Sequence, residues 1–531
     1  MKLHSLWIGD YRNLRDIELT FPPQPRLPIH LVVGINGTGK SGLLRVIAHI
    51  FRTLEYSQAP HIPFRAEYQI GRGEENWQVR IKGDGSGTVS GITFEVANAQ
   101  GEFSPRERSE WADFLPARTV VYTSGNLAEW QPIFAEAITE RERWESDQAE
   151  ALRSRQDSEA HIDEVATSVE LKRPSPVIEE VIPSRTLLLT PPHLQLALLA
   201  TLALKEAADA DLRSEIYQRA KLDQLTRFAL RLEPLSMQDG GRQSHERLTL
   251  LIQELLVKYP DDPDLQKRLE ELNKQGSVLP PRPMELVRKL AELAARRHRN
   301  PDGSYHLLFD MTPEIRLGLG GDKGLFPTPM EFYEFLADLY ERGVLAGVDL
   351  VIRKTDLPDE ILDHHLSDGE YDFLGRMALF LLLCQPESLF LLDEPESHFN
   401  DVWKRELVDI LAMILKDQPS TVLLTTHSSI VVSDVSADQV TLLKKDEQGR
   451  TRSIDIRTPT LGADPSEIMI QVLEAPDSIG QDALDYLDDQ LKRDWKPEDR
   501  EELEKLIRTV GPGYHRSELR TIWRKLNAPQ N

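Results

Sequence analysis

The stretch Gly34-Ile35-Asn36-Gly37-Thr38-Gly39-Lys40-Ser41 decides the fold of this chain. An apolar strand pattern, Ile29 to Val33, runs into it, and a helical pattern from Ser41 to about Phe51 leaves it. A glycine-rich turn between a buried strand and a helix makes a phosphate cradle, because glycine lets backbone N–H groups turn inward around phosphate oxygens. The helix that follows presents its N-terminus to the same anion. Gly34, Asn36, Gly37, Thr38 and Gly39 shape the turn, and Lys40 balances charge on the β- and γ-phosphates. The Ser41 hydroxyl is a ligand suited to Mg²⁺.

The acids that such a cradle needs stand far downstream. Leu389-Phe390-Leu391-Leu392-Asp393-Glu394 reads as a buried strand ending in two adjacent carboxylates. Asp393 is expected to hold the Mg²⁺, directly or through water, and Glu394 to polarise the attacking water. A helix cap is the plainer use of two such acids, but the cradle upstream gives them a task. Leu423-Leu424-Thr425-Thr426-His427 is a further apolar strand, and its terminal histidine is able to sense whether a γ-phosphate is present. Between cradle and acids lies Leu366-Ser367-Asp368-Gly369-Glu370, ahead of a helix that leads to Cys384. A serine and a glycine at a helix start form a second anion site. Taken alone the pentapeptide is no more than an N-cap. Its position between Ser41 and Asp393 predicts that Ser367 and Gly369 reach the γ-phosphate held by another subunit.

Length and composition bound the rest. A chain of 531 residues is long enough for two or three domains, and 40% apolar with 28% charged residues describes a soluble globular protein. No run approaches the roughly 18 apolar residues of a membrane span. The start, with Asp10, Arg12 and Arg15, lacks a signal-peptide core. The single cysteine, Cys384, excludes an internal disulfide framework, fits a reducing cytoplasm, and stands among apolar neighbours as a buried structural thiol. A net charge of −24 repels nucleic acid overall, so any such contact needs a local basic face. The stretch Arg288, Lys289, Arg296, Arg297, His298 and Arg299 is the best candidate, with a solvated helix face as its plainer reading.

The pattern along the chain predicts an α/β fold with a mixed sheet flanked by helices. Residues 1–130 carry the cradle and an antiparallel N-terminal sheet, with Trp77, Val79 and Ile81 alternating as in a strand. Residues 131–345 are expected to form an inserted α-helical domain, including helices over Ser244–Tyr259, Pro263–Lys274 and Met284–Arg297. Residues 346–470 return to a nucleotide-binding lobe, and 471–531 form a helical tail. His364-His365 is read as shaping the Ser367 loop, and Asp482, Asp485, Asp488 and Asp489 as a solvated helix face. No nuclease site is expected in the chain.

The order Gly34–Ser41, Leu366–Glu370, Asp393-Glu394 and His427 resembles the ABC-type ATPase superfamily. Within it, the start Leu3 to Leu14, with its Tyr11-Arg12-Asn13-Leu14 turn, is similar to the RecF and SMC branch. That resemblance implies an ABC-type P-loop ATPase head that binds ATP and Mg²⁺, with Arg12 near the nucleotide. It also implies a homodimer or higher oligomer built through composite ATP sites. Leu366 to Leu382, Tyr122–Asn126 and Gly511–Arg516 further resemble the PtuA family, the ATPases of Septu and retron-linked Septu anti-phage systems. This narrower resemblance implies an HNH nuclease partner of the PtuB kind, and a reverse transcriptase with its msDNA, or other nucleic acid, as a further one. A RecF-like repair ATPase that clamps DNA is the alternative. Two departures stand out. Gln131 is a poor match to the usual glutamine loop, for which Tyr122–Asn126 is the substitute. Pro395 to Asn400 differs from the usual dimer-contact loop, so Glu396 and His398 are expected to tune or slow hydrolysis.

Overall fold

In a computed structural model, the strand Ile29–Val33 is buried at every residue, which puts it inside a sheet covered on both faces. The structure describes all residues except 73–74, 98–100, 135–184, 205–209, 233–280, 301–303, 322, 342–343, 417–418, 476 and 528–531. The sheet has seven strands in the order Thr451–Asp455, Val440–Lys445, Ile29–Val33, Thr421–Thr426, Ser388–Asp393, Arg118–Thr123 and Thr186–Leu189. All neighbours are parallel except the first pair. Ser388–Asp393 and Thr421–Thr426 are likewise buried throughout, as their unbroken apolar runs require. Their register aligns Asp393 with Thr425, and Thr426 with Val33, so the strand ends carrying the motifs share one edge.

The first strands form a separate six-stranded antiparallel sheet, from Ile17–Thr20 and Lys2–Ile8 to Phe103–Pro105. Its inner residues, among them Phe64, Tyr68 and Phe94, share one core with Ile47, Ile50 and Phe51 of the helix Lys40–Glu55. The helix after the cradle is thus wedged between two sheets.

The middle of the chain departs from the helical expectation for 131–345. Thr186–Leu189 joins the main sheet, and a five-stranded antiparallel sheet runs in the order Arg296–Arg299, Tyr305–Asp310, Leu222–Leu232, Leu345–Lys354 and Ile361–Leu362. Leu222–Leu232 shows why. Phe228, Leu230 and Leu232 are buried while Arg227, Ala229 and Arg231 between them are not, a period of two that only a strand produces. The helix expected over Met284–Arg297 covers Pro281–Leu293, and Arg296–Arg299 pairs instead with Tyr305–Asp310. Cross-strand pairing overrides the helix propensity of arginine there. The expected helices Ser244–Tyr259 and Pro263–Lys274 lie outside the described residues. Cys384 is half-buried rather than buried, its thiol directed at the Ile414 carbonyl at 3.4 Å.

The helix Pro191–Ala203 begins at Thr190 with proline at its start, as its sequence signals. It crosses the helix Asp368–Leu383 closely. A Cβ on Gly375 would stand 2.7 Å from Leu194 Cβ.

The chain divides into two compact units, Met1–Gly462 and Ala463–Asn531, a boundary earlier than the 471 read from sequence. The second unit contains the helix Pro465–Gln471 and, around Leu487, Trp495, Leu503, Ile507 and Leu519, the helices Gln481–Lys492, Arg500–Thr509 and Tyr514–Leu526. Among the described residues no helix is long and apolar enough to cross a membrane.

Gly375→Val overpacks the crossing at Leu194 and should destabilise the first unit by about 1–3 kcal/mol, measured by denaturant unfolding against the unaltered chain.

Candidate nucleotide-binding and catalytic site

The cradle has the backbone its glycines allow. Gly37 and Gly39 have φ of 80° and 91°, in the left-handed region that favours glycine. Gly34 faces a close neighbour, since a Cβ there would stand 2.6 Å from the Leu443 carbonyl oxygen. Gly39 caps the helix Lys40–Glu55, whose first N–H groups therefore face the loop. Lys40 is buried, and its Nζ donates to the Gly34 carbonyl at 2.9 Å. Burial lowers the Lys40 pKa, while Glu394, Asp393 and Glu396 oppose that shift.

Asp393 organises the other side. Its Oδ1 accepts from Ser41 Oγ at 3.0 Å and from Thr425 Oγ1 at 2.7 Å, and its Oδ2 accepts from Thr123 Oγ1 at 2.9 Å. A buried carboxylate ringed by hydroxyls, beside an inward lysine, is a hard oxygen donor set of the kind Mg²⁺ takes when phosphates complete its shell. Ser41 and Asp393 therefore fit a magnesium–nucleotide, and the loop of left-handed glycines fits its phosphates.

Glu394 adopts φ 49°, unusual for a residue with a Cβ. Its N–H donates to the Thr425 carbonyl, and its Oε1 stands 3.8 Å from Lys40 Nζ and 3.3 Å from His427 Nδ1. The hydrogen bond to His427 holds the Glu394 carboxyl below its ordinary range, and the same bond holds the imidazole above its own. Glu396 is buried beneath them and accepts from Thr426 Oγ1, and burial raises its pKa.

The remaining motif residues are distributed differently. Asn13 and Leu14, rather than Arg12, pack against Gly39. Arg12 is exposed at φ 52°, with its guanidinium 5.5 Å from the Tyr11 ring centre. Burial first, and then the Arg12 charge, lower the pKa of Arg45 in the helix after the cradle. Ser367 is the exposed N-cap of Asp368–Leu383, in a reciprocal box with Glu370, and Lys354 pairs with that glutamate. Among the described residues no hydrogen bond joins Ser367 or Gly369 to the cradle. Gly369 abuts the loop after Glu394 instead, where a Cβ would stand 2.9 Å from the His398 carbonyl oxygen. His364 and His365 form an exposed turn before Ser367 with rings packed edge-on.

Sequence reasoning missed Thr425 and Arg376, and named Thr123 only within the Tyr122–Asn126 loop. Thr123 and Thr425 are ordinary strand threonines until the register sets them around Asp393. Arg376 is 2% exposed, and it donates from Nη1 to the Pro395 and Ser397 carbonyls and from Nη2 to Asp372. Its guanidinium also lies against the Tyr122 and Phe399 rings, at 5.0 and 4.9 Å. An arginine inside an apolar helix run was the available signal. In place of a glutamine loop, Thr123 reaches Asp393 and Ser124 Oγ lies 3.2 Å from Ser397 Oγ.

The Glu394–His427 pair predicts a titration. A raised histidine contributes stability at low pH that is lost as pH rises through its folded pKa. A lowered glutamate contributes above its ordinary pKa and loses this as pH falls. The pair therefore acts between the two, and Glu394→Gln should bring the His427 midpoint down in an NMR titration of the nucleotide-free chain.

The chain has measurable similarity to known proteins. The chain is 35% identical over 116 residues to the aliphatic sulfonates import ATP-binding protein SsuB 1 of Rhodococcus jostii, covering 22% of this chain and 42% of that protein. It is 30% identical over 169 residues to the thiamine import ATP-binding protein ThiQ of Photobacterium profundum, covering 32% and 63%. The match thus spans less than two thirds of either relative. Among solved structures, it is similar to the SMC head domain from Thermotoga maritima at 10% identity, covering 86% of this chain and all of that one, with a TM-score of 0.32. Residues 29–433, which hold the cradle, Ser367, both acids and His427, match the family described as "AAA domain, putative AbiEii toxin, Type IV TA system". The chain belongs to that AAA-domain family.

Proposed function

We propose that this chain binds and hydrolyses ATP at a site that a second copy completes. One observation carries the reading: Lys40, Ser41, Asp393, Glu394 and His427 form one cluster, while the anion-suited helix start at Ser367 is exposed and separate from it. A lone chain therefore holds half of each of two sites.

In this reading the cradle binds the phosphates, with Lys40 turning from the Gly34 carbonyl to the γ-phosphate. Ser41 and Asp393 would hold Mg²⁺, which would neutralise phosphate charge. Glu394 accepts the proton of the attacking water as its oxygen bonds to the γ-phosphorus and the bond to the ADP oxygen breaks. His427 keeps the Glu394 carboxylate ionised and oriented, and it contacts the γ-phosphate. Ser367 and Gly369 of a second copy close the far side of that phosphate, and hydrolysis removes their anion. That makes a two-state element biased by ligand. Arg12 contacts the nucleotide from the rim.

The wider role in this reading is a cytoplasmic anti-phage ATPase whose closed state controls a partner HNH nuclease. The resemblance of Leu366–Leu382 and Gly511–Arg516 to Septu ATPases supports it, and a family described by a toxin–antitoxin system is compatible with it.

Light scattering with ATP and Mg²⁺ tests the core of the proposal. Glu394→Gln should bind ATP and accumulate as a dimer, Lys40→Ala should not bind, and Ser367→Arg should bind but stay monomeric. A Glu394→Gln chain that remains monomeric with ATP sinks the composite site. A pull-down from the native host with ATP present should recover a small HNH nuclease, and its absence removes that partner without touching the ATPase reading.

A further inference from the structure

The five-stranded sheet of the middle region has one apolar and one polar face. Phe228, Leu230, Leu307, Phe309 and Leu350 are buried on the first. Register sets the second, with His298 opposite His306 and Arg296 opposite Leu308 on the edge pair of strands. His306 and Leu308 stand opposite Arg231 and Ala229 of the next strand. Arg296, Arg297 and His298 are exposed, and with His306 and Leu308 they line an open cavity of about 520 Å³.

The charge on this face changes across the sheet. Toward the middle each arginine has an acid: Arg231 pairs with Asp349 at 3.4 Å, and Arg227 with Glu360 at 3.1 Å. At the edge, neither Arg296 on this face nor Arg297, whose cross-strand neighbour is Leu307, has an ion-pair partner among the described residues. Charge does protect edge strands from pairing with other chains, but either sign, or both, would serve that purpose.

We propose that this edge binds the phosphates of a single-stranded nucleic acid. Guanidinium offers the forked donors that phosphate oxygens accept in pairs. Arg296 and Arg297 are consecutive, so they leave the edge strand on its two sides about 3.4 Å apart along it, and a chain lying along the edge meets both. The facing imidazoles of His298 and His306 add flat surfaces on which bases stack. An acidic peptide would also meet the arginines, but has no use for the imidazoles beside them. A mononucleotide also carries a phosphate, so the phosphate has two sources to separate. These observations are independent of the ATP site.

The test is fluorescence anisotropy of a labelled single-stranded DNA of about 20 nucleotides with the full chain, at salt from about 50 to 200 mM. Arg296→Ala with Arg297→Ala should weaken binding about tenfold and lower the slope of log affinity against log salt by about 1.4, as two phosphate contacts to a single strand require. His298→Ala with His306→Ala should weaken binding and leave the slope unchanged. Retained ATP binding shows that each variant is folded. Equal affinity and slope in wild type and the arginine variant overturn the proposal, as does a wild type that does not bind at low salt. The competition is run in Lys40→Ala, which separates this site from the cradle. There, displacement by AMP at equal phosphate concentration overturns the strand in favour of a mononucleotide.

Discussion

The buried carboxylate of Asp393 is the point on which the site depends. It accepts three hydroxyls, from the cradle helix, the neighbouring strand Thr421–Thr426 and the strand Arg118–Thr123 on its other side. A hydrogen bond to a charged group is worth about 1.5–3 kcal/mol, and a buried carboxylate without such partners would be costly. Three segments that are remote in the chain are therefore tied to one carboxyl group. The parallel ladder enforces the same alignment. A slip of one residue in Ser388–Asp393 would turn Asp393 to the other face and separate it from all three donors.

From this anchor the loop after Glu394 connects two chemical tasks. Pro395 and Ser397 offer their carbonyls to Arg376, and the His398 carbonyl comes against Gly369. Both partners belong to the helix Asp368–Leu383 that starts at Ser367. Burying a guanidinium is expensive unless it is paired, and Asp372, two carbonyls and two rings compensate Arg376. The helix that would read a second copy's phosphate is thus fastened to the loop that follows this copy's Glu394.

The middle of the chain has a different logic. Its five-stranded sheet has an apolar inside and a charged outside, typical of antiparallel sheets with one solvated face. The helix Pro191–Ala203 from the same region is apolar nearly all round and packs under Gly375 of the Ser367 helix. The region is therefore joined to the nucleotide-binding lobe through this buried helix.

The sequence by itself determined the head. Apolar runs at Ile29–Val33, Ser388–Asp393 and Thr421–Thr426 require buried parallel strands, and a glycine turn before Lys40 requires an anion. Glu394 and His427 were legible because strand ends are where such groups gather. Only the tertiary structure decided what surrounds them. Thr123 and Thr425 became partners of Asp393 through register, which is a relation between strands and is not written in either one. The same holds for Arg296–Arg299, whose residues favour a helix locally and became a strand because Tyr305–Asp310 offered an unpaired edge. It holds again for Gly369, whose glycine answers the His398 carbonyl, a neighbour that sequence distance conceals. Local patterns set the elements; long-range hydrogen bonds and close packing, which depend on distances across the fold, chose their neighbours.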